Sequence, residues 1–240
     1  MKNTIKRFFT APLRVDTVIE AQLLALTLSI GIQDAIAFPD FKCFASNQTG
    51  NTVLLAVGAA GLGGDQFSLP NIGISLSLFL AGAILTGQTA NIIGPSRRGW
   101  LLITHLAQTL MVFGAAVIQS VDGDQGRGEN ARWSIALLAF SSGAQVASMR
   151  PMRIQEITTA MATAAWVDFV IDPSLLAMKN HPRDRRALFL ITLIIGSFVG
   201  AFMYKEVGSG NTLILSATVK LVVTLTLLLN QPVREDCLTC

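Results

Sequence analysis

The chain has 240 residues, of which 51% are hydrophobic and only 14% are charged, and its mean hydropathy is +0.54. Soluble domains carry about 25% charged residues, and the shortage here lies inside long apolar runs, so the composition excludes an ordinary soluble domain. The net charge is +3, but lysine and arginine lie between the apolar runs. This is typical of charges that orient membrane helices and not of a nucleic-acid-binding surface.

The apolar runs, taken in chain order, predict a helical membrane protein. A basic tail, residues 1–17, comes first and is expected in the cytosol. Six runs are long enough, or nearly so, to cross a hydrocarbon core of about 30 Å as helices. They are residues 18–38, 71–94, 99–119, 131–149, 187–204 and 211–229. Two shorter runs, 49–62 and 157–176, lie between them, so we predict an all-α membrane helix bundle of six to eight transmembrane segments.

The runs divide into two similar halves. A first membrane half, 18–120, and a second, 131–230, are joined by a polar linker, 121–130, and a polar tail, 231–240, follows. Four identities repeat at an offset of 112, pairing Ser29 with Ser141, Gly31 with Gly143, Gln33 with Gln145 and Ala35 with Ala147. The third run of each half also has small residues four apart, a spacing that lets helices approach closely in lipid. These residues are Gly82 and Thr86, then Gly196 and Gly200. The pattern predicts an internal repeat.

The basic residues between the runs discriminate between two topologies. If all eight runs cross, 11 lysines and arginines lie in the cytosol and 6 outside. If the short runs enter and leave on one side, six crossings remain and the split is 13 to 4. The positive-inside rule favours the second by a small margin. Six crossings would make inverted repeats and eight would make parallel repeats; both occur in secondary transporters, and both stay open.

The strongest local signal is a polar segment, residues 44–52, that leads into the first short run. The candidate site residues in it are Asn47, Gln48, Thr49, Gly50 and Asn51, and Ser46 and Thr52 are polar as well. Non-helical backbone survives in lipid only where protein or water satisfies it, and glycine permits a turn. If a helix begins here, its free N–H groups favour an anion or a polar group of a solute. In the alternative, structural interpretation, Thr49 or Asn51 caps the short run at the membrane surface.

This segment also carries a family resemblance. Gly31-x-x-Asp34-Ala35, followed by Phe44-x-x-Asn47-Gln48-Thr49-Gly50-Asn51-Thr52-Val53-Leu54, resembles the signature of the YoaK-type family of multi-pass membrane proteins, a domain of unknown function. The resemblance extends from about Glu20 to Asn230. Family members usually carry a related Thr-Gly element in the second half, but here Thr158-Thr159-Ala160-Met161 continues without it. The resemblance therefore implies a fold and no activity, and the missing element argues against two symmetric sites.

Ionisable residues inside the runs are the next clue. A charge at the bilayer centre costs at least about 2.5–3.5 kcal/mol on insertion scales, so it tends to be paired, to snorkel or to be functional. One hypothesis is that Lys220, near the middle of the last run, pairs with Asp34 or Asp168. In the other, Lys220 faces lipid and snorkels over about 13 Å. His105 is interpreted as a hydrogen-bonded structural residue.

These observations favour a secondary transporter of a small solute, with proton coupling as one option. The alternative is a non-transporting membrane partner or scaffold subunit. The predicted path residues are Asp34, Asn47, Gln48, Thr49, Gly50, Asn51, Gln145, Asp168 and Lys220. Without a nucleophile–base pair we expect no enzyme, and without a His/Cys/Asp cluster at ligand spacing we expect no metal and no cofactor.

The expected partners are the lipid bilayer and a small-molecule solute, and no nucleic acid. The sequence does not indicate an oligomeric state. Cys237 and Cys240 are interpreted as part of a solvated tail, since one pair cannot complete a four-ligand metal site. We expect an integral membrane protein with its N-terminus in the cytosol.

Overall fold

The apolar runs form long helices. In the computed structural model, which describes residues 2–122 and 128–233, all regular secondary structure is helical, so the all-α prediction is confirmed. The helices are α1 (Lys2–Thr10), α2 (Thr17–Phe41), α3 (Gln48–Ala59), α4 (Leu69–Ile93), α5 (Arg98–Asp122), α6 (Glu129–Met149), α7 (Thr163–Val170) and α8 (His181–Thr226). The middle of the predicted linker and most of the polar tail, with Cys237 and Cys240, lie outside the described residues.

Four helices are long and apolar enough to cross a membrane: those that contain α2, α4, α5 and α8. The two predicted short runs form α3, with 12 residues, and α7, with 8 residues. At 1.5 Å per residue these helices are about 18 and 12 Å long. Both are shorter than a hydrocarbon core of about 30 Å.

Helix α8 contains both of the last two apolar runs, and its axis breaks at Gly208. That residue has φ 81° and ψ 174°, a conformation that is open essentially to glycine alone. The first arm of α8, residues 181–207, runs parallel to α2: Arg185 pairs with Glu20 near the start of both helices, and Tyr204 donates to Asp40 near the end of α2. The break lets the second arm, residues 209–226, turn back along the bundle.

Contacts of the second arm fix its direction. Ser29 in α2 bonds to Ser216, and further back along α2 the side-chain amides of Gln22 and Asn230 exchange two hydrogen bonds of 2.8 and 2.9 Å. The second arm is therefore antiparallel to α2. We call the end of the bundle that holds Gln22 and Asn230 the first end, and the end that holds Gly208 the second end.

Glycine allows two helix pairs to touch through their backbones. α4 packs on α6, and α2 packs on the first arm of α8. A Cβ atom on Gly143 would lie 2.0 Å from the carbonyl oxygen of Phe79, and one on Gly82 would lie 2.3 Å from that of Phe140. In the other pair, a Cβ on Gly31 would lie 2.7 Å from the Leu193 oxygen, and one on Gly196 would lie 2.5 Å from the Leu28 oxygen. The small-residue spacing thus lies at the closest helix contacts, as expected in lipid.

The buried interior has three layers. An apolar cluster that includes Leu23, Leu101 and Leu227 lies towards the first end. A second one, with Val112 and Leu213, lies towards the second end. Between them the same helices bury polar side chains, which we call the polar layer. Its members are Ser29, Gln33, His105, Gln108, Ser141, Gln145, Ser216 and Lys220, each at most 1% exposed.

Candidate functional site

The chain re-enters the bundle after α2. It reverses at Lys42, which has φ 53°, and Asp34 then accepts hydrogen bonds from the amides of Ala45 (3.0 Å) and Ser46 (2.9 Å) and from the Ser46 hydroxyl. Asp34 lies seven residues before the end of α2, which corresponds to about 10 Å along the helix. Helix α3 therefore begins well inside the second end and runs back towards it.

Side chains of α3 and α4 satisfy the backbone of this re-entrant segment. Asn51 is fully buried; its side chain accepts from the Phe44 amide at 2.9 Å and donates to the Phe44 carbonyl at 2.8 Å. Gln48 donates to the Ala45 carbonyl at 3.0 Å and to the Ser75 hydroxyl at 3.1 Å. Non-helical backbone at this depth needs such partners, so Gln48 and Asn51 hold the segment in place.

The start of α3 is capped by Asn47, whose side chain accepts from the Gly50 amide at 3.2 Å. The alternatives Thr49 and Asn51 as caps are therefore wrong. Gly50 makes no turn: it lies in the first turn of the helix, where a Cβ would approach the Phe44 ring at 3.1 Å. Helix α3 thus begins inside the bundle, beside Asp34 of α2.

A second segment enters from the first end. After α6 the chain passes through residues 150–162 to α7, whose first flanking residue, Ala162, provides no side-chain cap. Beyond α7, Asp172 accepts from Arg186 at 3.3 Å and from Asn180 at 3.0 Å. These bonds return the chain to the start of α8, at the first end. Within the segment, Thr159 is buried and has φ 63°, a left-handed conformation that is unusual for a β-branched residue.

The two helix starts meet at a cavity of about 550 Å³, which we call the central cavity. Its lining residues come from α2, from both re-entrant segments and from the first arm of α8. They are Gly31, Asp34, Ala35, Phe44, Ser46, Asn47, Thr49, Ala160, Met161, Ala162, Thr163, Ala164, Leu193 and Ser197. Asn47 and Thr49 have exposed side chains, whereas the Asp34 carboxylate already accepts hydrogen bonds from Ala45 and Ser46.

A second cavity, of about 670 Å³, adjoins the central one from the first end and is called the first-end cavity. The two share Met161 and Ala164 among their lining residues, and the first-end cavity also contacts Arg150, Arg153 and Asp168. Towards the second end, Phe44 of the central cavity stacks on Phe38 with ring centroids 5.0 Å apart. The central cavity therefore adjoins the first-end cavity through a layer that contains Met161.

Lys220 lies in the polar layer, away from both carboxylates proposed as its partners. Its Nζ donates to Gln145 Oε1 at 2.5 Å and to Ser141 Oγ at 3.3 Å, and the side chain is 1% exposed. Asp34 bonds to the re-entrant segment, and Asp168 is 53% exposed beside Arg186. The predicted pairing of Lys220 with Asp34 or Asp168 is therefore wrong, and so is the lipid-facing alternative.

The rest of the polar layer links α2, α5, α6 and the second arm of α8. Gln33 donates to Ser29 at 3.0 Å and to Ser216 at 2.9 Å, and the hydroxyls of Ser29 and Ser216 lie 2.7 Å apart. Several buried polar atoms of the layer have no partner among the described residues. They are Gln33 Oε1, Gln108 Oε1 and His105 Nε2.

The nine predicted path residues thus fall into separate groups. Asp34, Asn47 and Thr49 line the central cavity; Gln48, Gly50 and Asn51 build the segment beside it. Asp168 lines the first-end cavity, and Gln145 and Lys220 lie in the polar layer. Asp34, Asn51 and Lys220 therefore do not converge on one cavity.

Two sets of residues in and beside the site were not predicted from the sequence. Ser46, which completes the bonding of Asp34, has no distinguishing sequence signal. The polar face of the second arm does have one, because its buried polar residues recur at intervals of four. They are Thr212, Ser216, Lys220 and Thr224, a period that places all four on one helix face.

The described residues thus form an all-α protein of the class whose helices are long and apolar enough to span a membrane, with glycines at the closest helix contacts. Residues 22–226 match the family described as "Protein of unknown function (DUF1275)", and the chain belongs to that family. The resemblance of residues 31–54 to the YoaK-type signature agrees with this membership. No match was found among curated proteins or among solved structures.

Proposed function

We propose that this protein is a carrier of a small solute. The observation that supports this best is the central cavity, where the starts of two re-entrant helices from opposite ends of the bundle meet around Asp34, Asn47 and Thr49. Discontinuous helices of this kind form the substrate sites of many secondary transporters. The solute would enter from the first end, through the first-end cavity and past Met161.

The topology that supports a carrier has six crossings in two inverted halves. The crossings are α2, α4, α5, α6 and the two arms of α8, and α3 and α7 enter from opposite ends. The glycine contacts support the repeat, because the contact of Gly31 with Leu193 corresponds to that of Gly143 with Phe79 at offsets of 112 and 114. Among the residues that the structure describes, lysines and arginines are concentrated at the first end, as the six-crossing topology predicts. Under the positive-inside rule, this asymmetry supports a cytosolic first end and a cytosolic N-terminus.

The cavity chemistry favours a solute with an anionic or hydrogen-bond-accepting group. Helix starts present free N–H groups and the positive end of the helix dipole. The start of α7 has no side-chain cap, and Asn47 takes up a single amide of α3. Since the Asp34 carboxylate is already bonded to Ala45 and Ser46, its charge is partly compensated before a solute arrives.

Water access to the cavity provides the first test. In a chain whose three native cysteines are replaced, Thr49→Cys is expected to react with a membrane-impermeant thiol reagent applied at the first end. Val53→Cys is the matched control, because Val53 lies one turn further along α3, is 58% exposed and is absent from the cavity lining. An unreactive Thr49→Cys, or equal labelling of both variants, would argue against an aqueous path.

Flux provides the second test. Light-scattering swelling assays on proteoliposomes in isosmotic solutions of short carboxylates, inorganic phosphate, amino acids and sugars should identify at least one permeant solute. Substitution of Thr49 by a tryptophan, which fills part of the cavity, should reduce that flux. Absence of flux for every solute, together with copurification of one stoichiometric membrane protein, would favour the partner or scaffold role instead.

A further inference from the structure

We infer that Lys220 is a proton-binding site at the centre of the bundle, held ready to gain or lose its proton by Gln145 and Ser141. The inference rests on the proposed carrier function, because a carrier that couples solute movement to protons needs a site that binds and releases a proton. The site is separate from the central cavity, whose lining does not include any of these three residues.

The position of Lys220 argues against a purely structural ammonium. It lies about ten residues, or about 15 Å, from the first end at Asn230, and 1% of it is exposed. Buried cations in membrane helices usually have an acidic partner or snorkel to the surface. Among the described residues, the partners of its Nζ are an amide oxygen and a hydroxyl.

Both partners can serve either protonation state. Gln145 presents Oε1 to an ammonium, and after rotation of its amide it presents Nε2 to the lone pair of an amine. The Ser141 hydroxyl accepts from the ammonium or, after rotation, donates to the amine. A carboxylate has no such freedom and would hold the proton on Lys220. On uptake the Nζ lone pair binds one proton, and on release it gives that proton back; no other bond changes.

The surroundings of Lys220 are neutral on the helices packed against it, with one titratable exception. α6 contributes Ser141 and Gln145, which bond to Nζ. The polar layer around them also contains Gln33 of α2 and Gln108 and His105 of α5. His105 is the titratable member of this layer, and its Nε2 has no hydrogen-bond partner among the described residues. The side-chain oxygens of Gln33 and Gln108 have no partner among the described residues. They are acceptors that can stabilise the ammonium form of Lys220 when it binds a proton.

Polar side chains also lie between Lys220 and the first end. Thr224 lies one turn beyond Lys220 on the second arm, and its hydroxyl is 3.3 Å from that of Thr109 on α5. Thr109 in turn donates to the backbone carbonyl of His105 at 2.8 Å. Near the first end, Thr226, Gln22 and Asn230 form a further hydrogen-bonded set. Polar groups thus follow the second arm from Lys220 to the proposed cytosolic side.

The test is a titration of the lysine side chains by NMR. The full-length chain, with its six lysines labelled with ¹³C and ¹⁵N, is placed in lipid nanodiscs, and Lys220→Arg identifies the Lys220 signal. Lys220→Gln serves if the arginine variant does not fold, and Lys205→Arg is the control for an exposed lysine. The Lys220 signal should move from its ammonium to its amine position as the pH is raised across the range in which the protein stays folded, and this movement should be absent from the spectrum of Lys220→Arg.

A second variant tests the role of the neutral partner. Gln145→Glu should fix the Lys220 signal at the ammonium position over the whole range, whereas Gln155→Glu, the same change on the exposed loop, should leave the titration unchanged. A Lys220 signal that stays at one position in the native chain would overturn the inference. A titrating Lys220 without flux of any solute would remove the carrier function and leave the proton site.

Discussion

The closest helix contact makes a quantitative prediction. A Cβ atom on Gly143 would lie 2.0 Å from the Phe79 carbonyl oxygen, whereas an ordinary contact needs about 3.4 Å, so Gly143→Ala forces α4 and α6 apart by more than about 1 Å. Overpacking typically costs about 1–3 kcal/mol. Because the obstacle is backbone and not a movable side chain, we expect a loss near about 3 kcal/mol, partly offset by up to about 1 kcal/mol of helix propensity.

The same substitution has a matched control within α4. A Cβ on Gly73 meets no atom within 4 Å, so Gly73→Ala should be neutral or stabilising by up to about 1 kcal/mol. Thermal unfolding in detergent would be monitored by the exposure of buried Cys43 to a thiol-reactive dye, in protein whose two C-terminal cysteines are replaced by serine. For a chain of this size, about 2 kcal/mol of net loss corresponds to a midpoint lower by about 4–8 °C. Equal midpoints for the two variants would refute the proposed contact.

Three further predictions concern the re-entrant segments. Asp34→Ala removes three hydrogen bonds to a carboxylate and should lower the free energy of unfolding by about 3 kcal/mol, while Asp168→Ala, at a 53% exposed side chain, should change it by less than about 0.5 kcal/mol; equal effects would contradict the anchoring role. Thr159→Gly relieves a left-handed backbone (φ 63°) and should raise stability by about 1 kcal/mol, seen as a higher unfolding midpoint; a lower midpoint would count against strain there. Burial and the nearby Asp34 charge raise the pKa of Cys43 to about 12, so its thiol stays protonated at pH 8. In protein whose two C-terminal cysteines are replaced by serine, Cys43 should therefore react with maleimide only after denaturant exposes it. Rapid labelling of the native protein would show that the segment is open.

Much of the fold follows from apolar length and small-residue spacing. Most of the predicted runs begin and end within three residues of the helices, because burial in lipid dictates where a long apolar segment begins and ends. The exceptions are run 157–176, which is six residues longer than α7 at each end, and run 187–204, which begins six residues after α8 does. How far α3 and α7 extend into the bundle is harder to predict from the sequence, since their apolar composition is the same as that of a short helix that crosses it. The position of α3 depends on the bonds of Asp34 to Ala45 and of Asn51 to Phe44, and an apolar pattern does not report such bonds.

The candidate site was predictable only in part. Asp34, Asn47 and Thr49 stood out because polar groups beside an apolar run are costly and therefore rarely incidental. Lys220 stood out for the same reason, but its partner did not: a lysine in lipid suggests a carboxylate, and the chain uses Gln145 and Ser141 instead. Amides and hydroxyls are common in membrane helices, so single residues of this type carry little information about which ones meet.

The glycine contacts of α2 and α4 have a consequence for how the protein is made. Gly31 meets its neighbour Leu193 only after more than 160 further residues have been synthesised, and Gly82 awaits Phe140. At translation rates of about 5–20 residues per second, the surface of α2 around Gly31 stays uncovered for roughly 10 to 30 seconds, while the helices leave the insertion machinery one by one. Nascent chains that end before α6 expose the glycine surfaces of both α2 and α4 without the helices that normally pack on them. Membrane quality-control proteases and chaperones can use these surfaces to distinguish incomplete from complete protein.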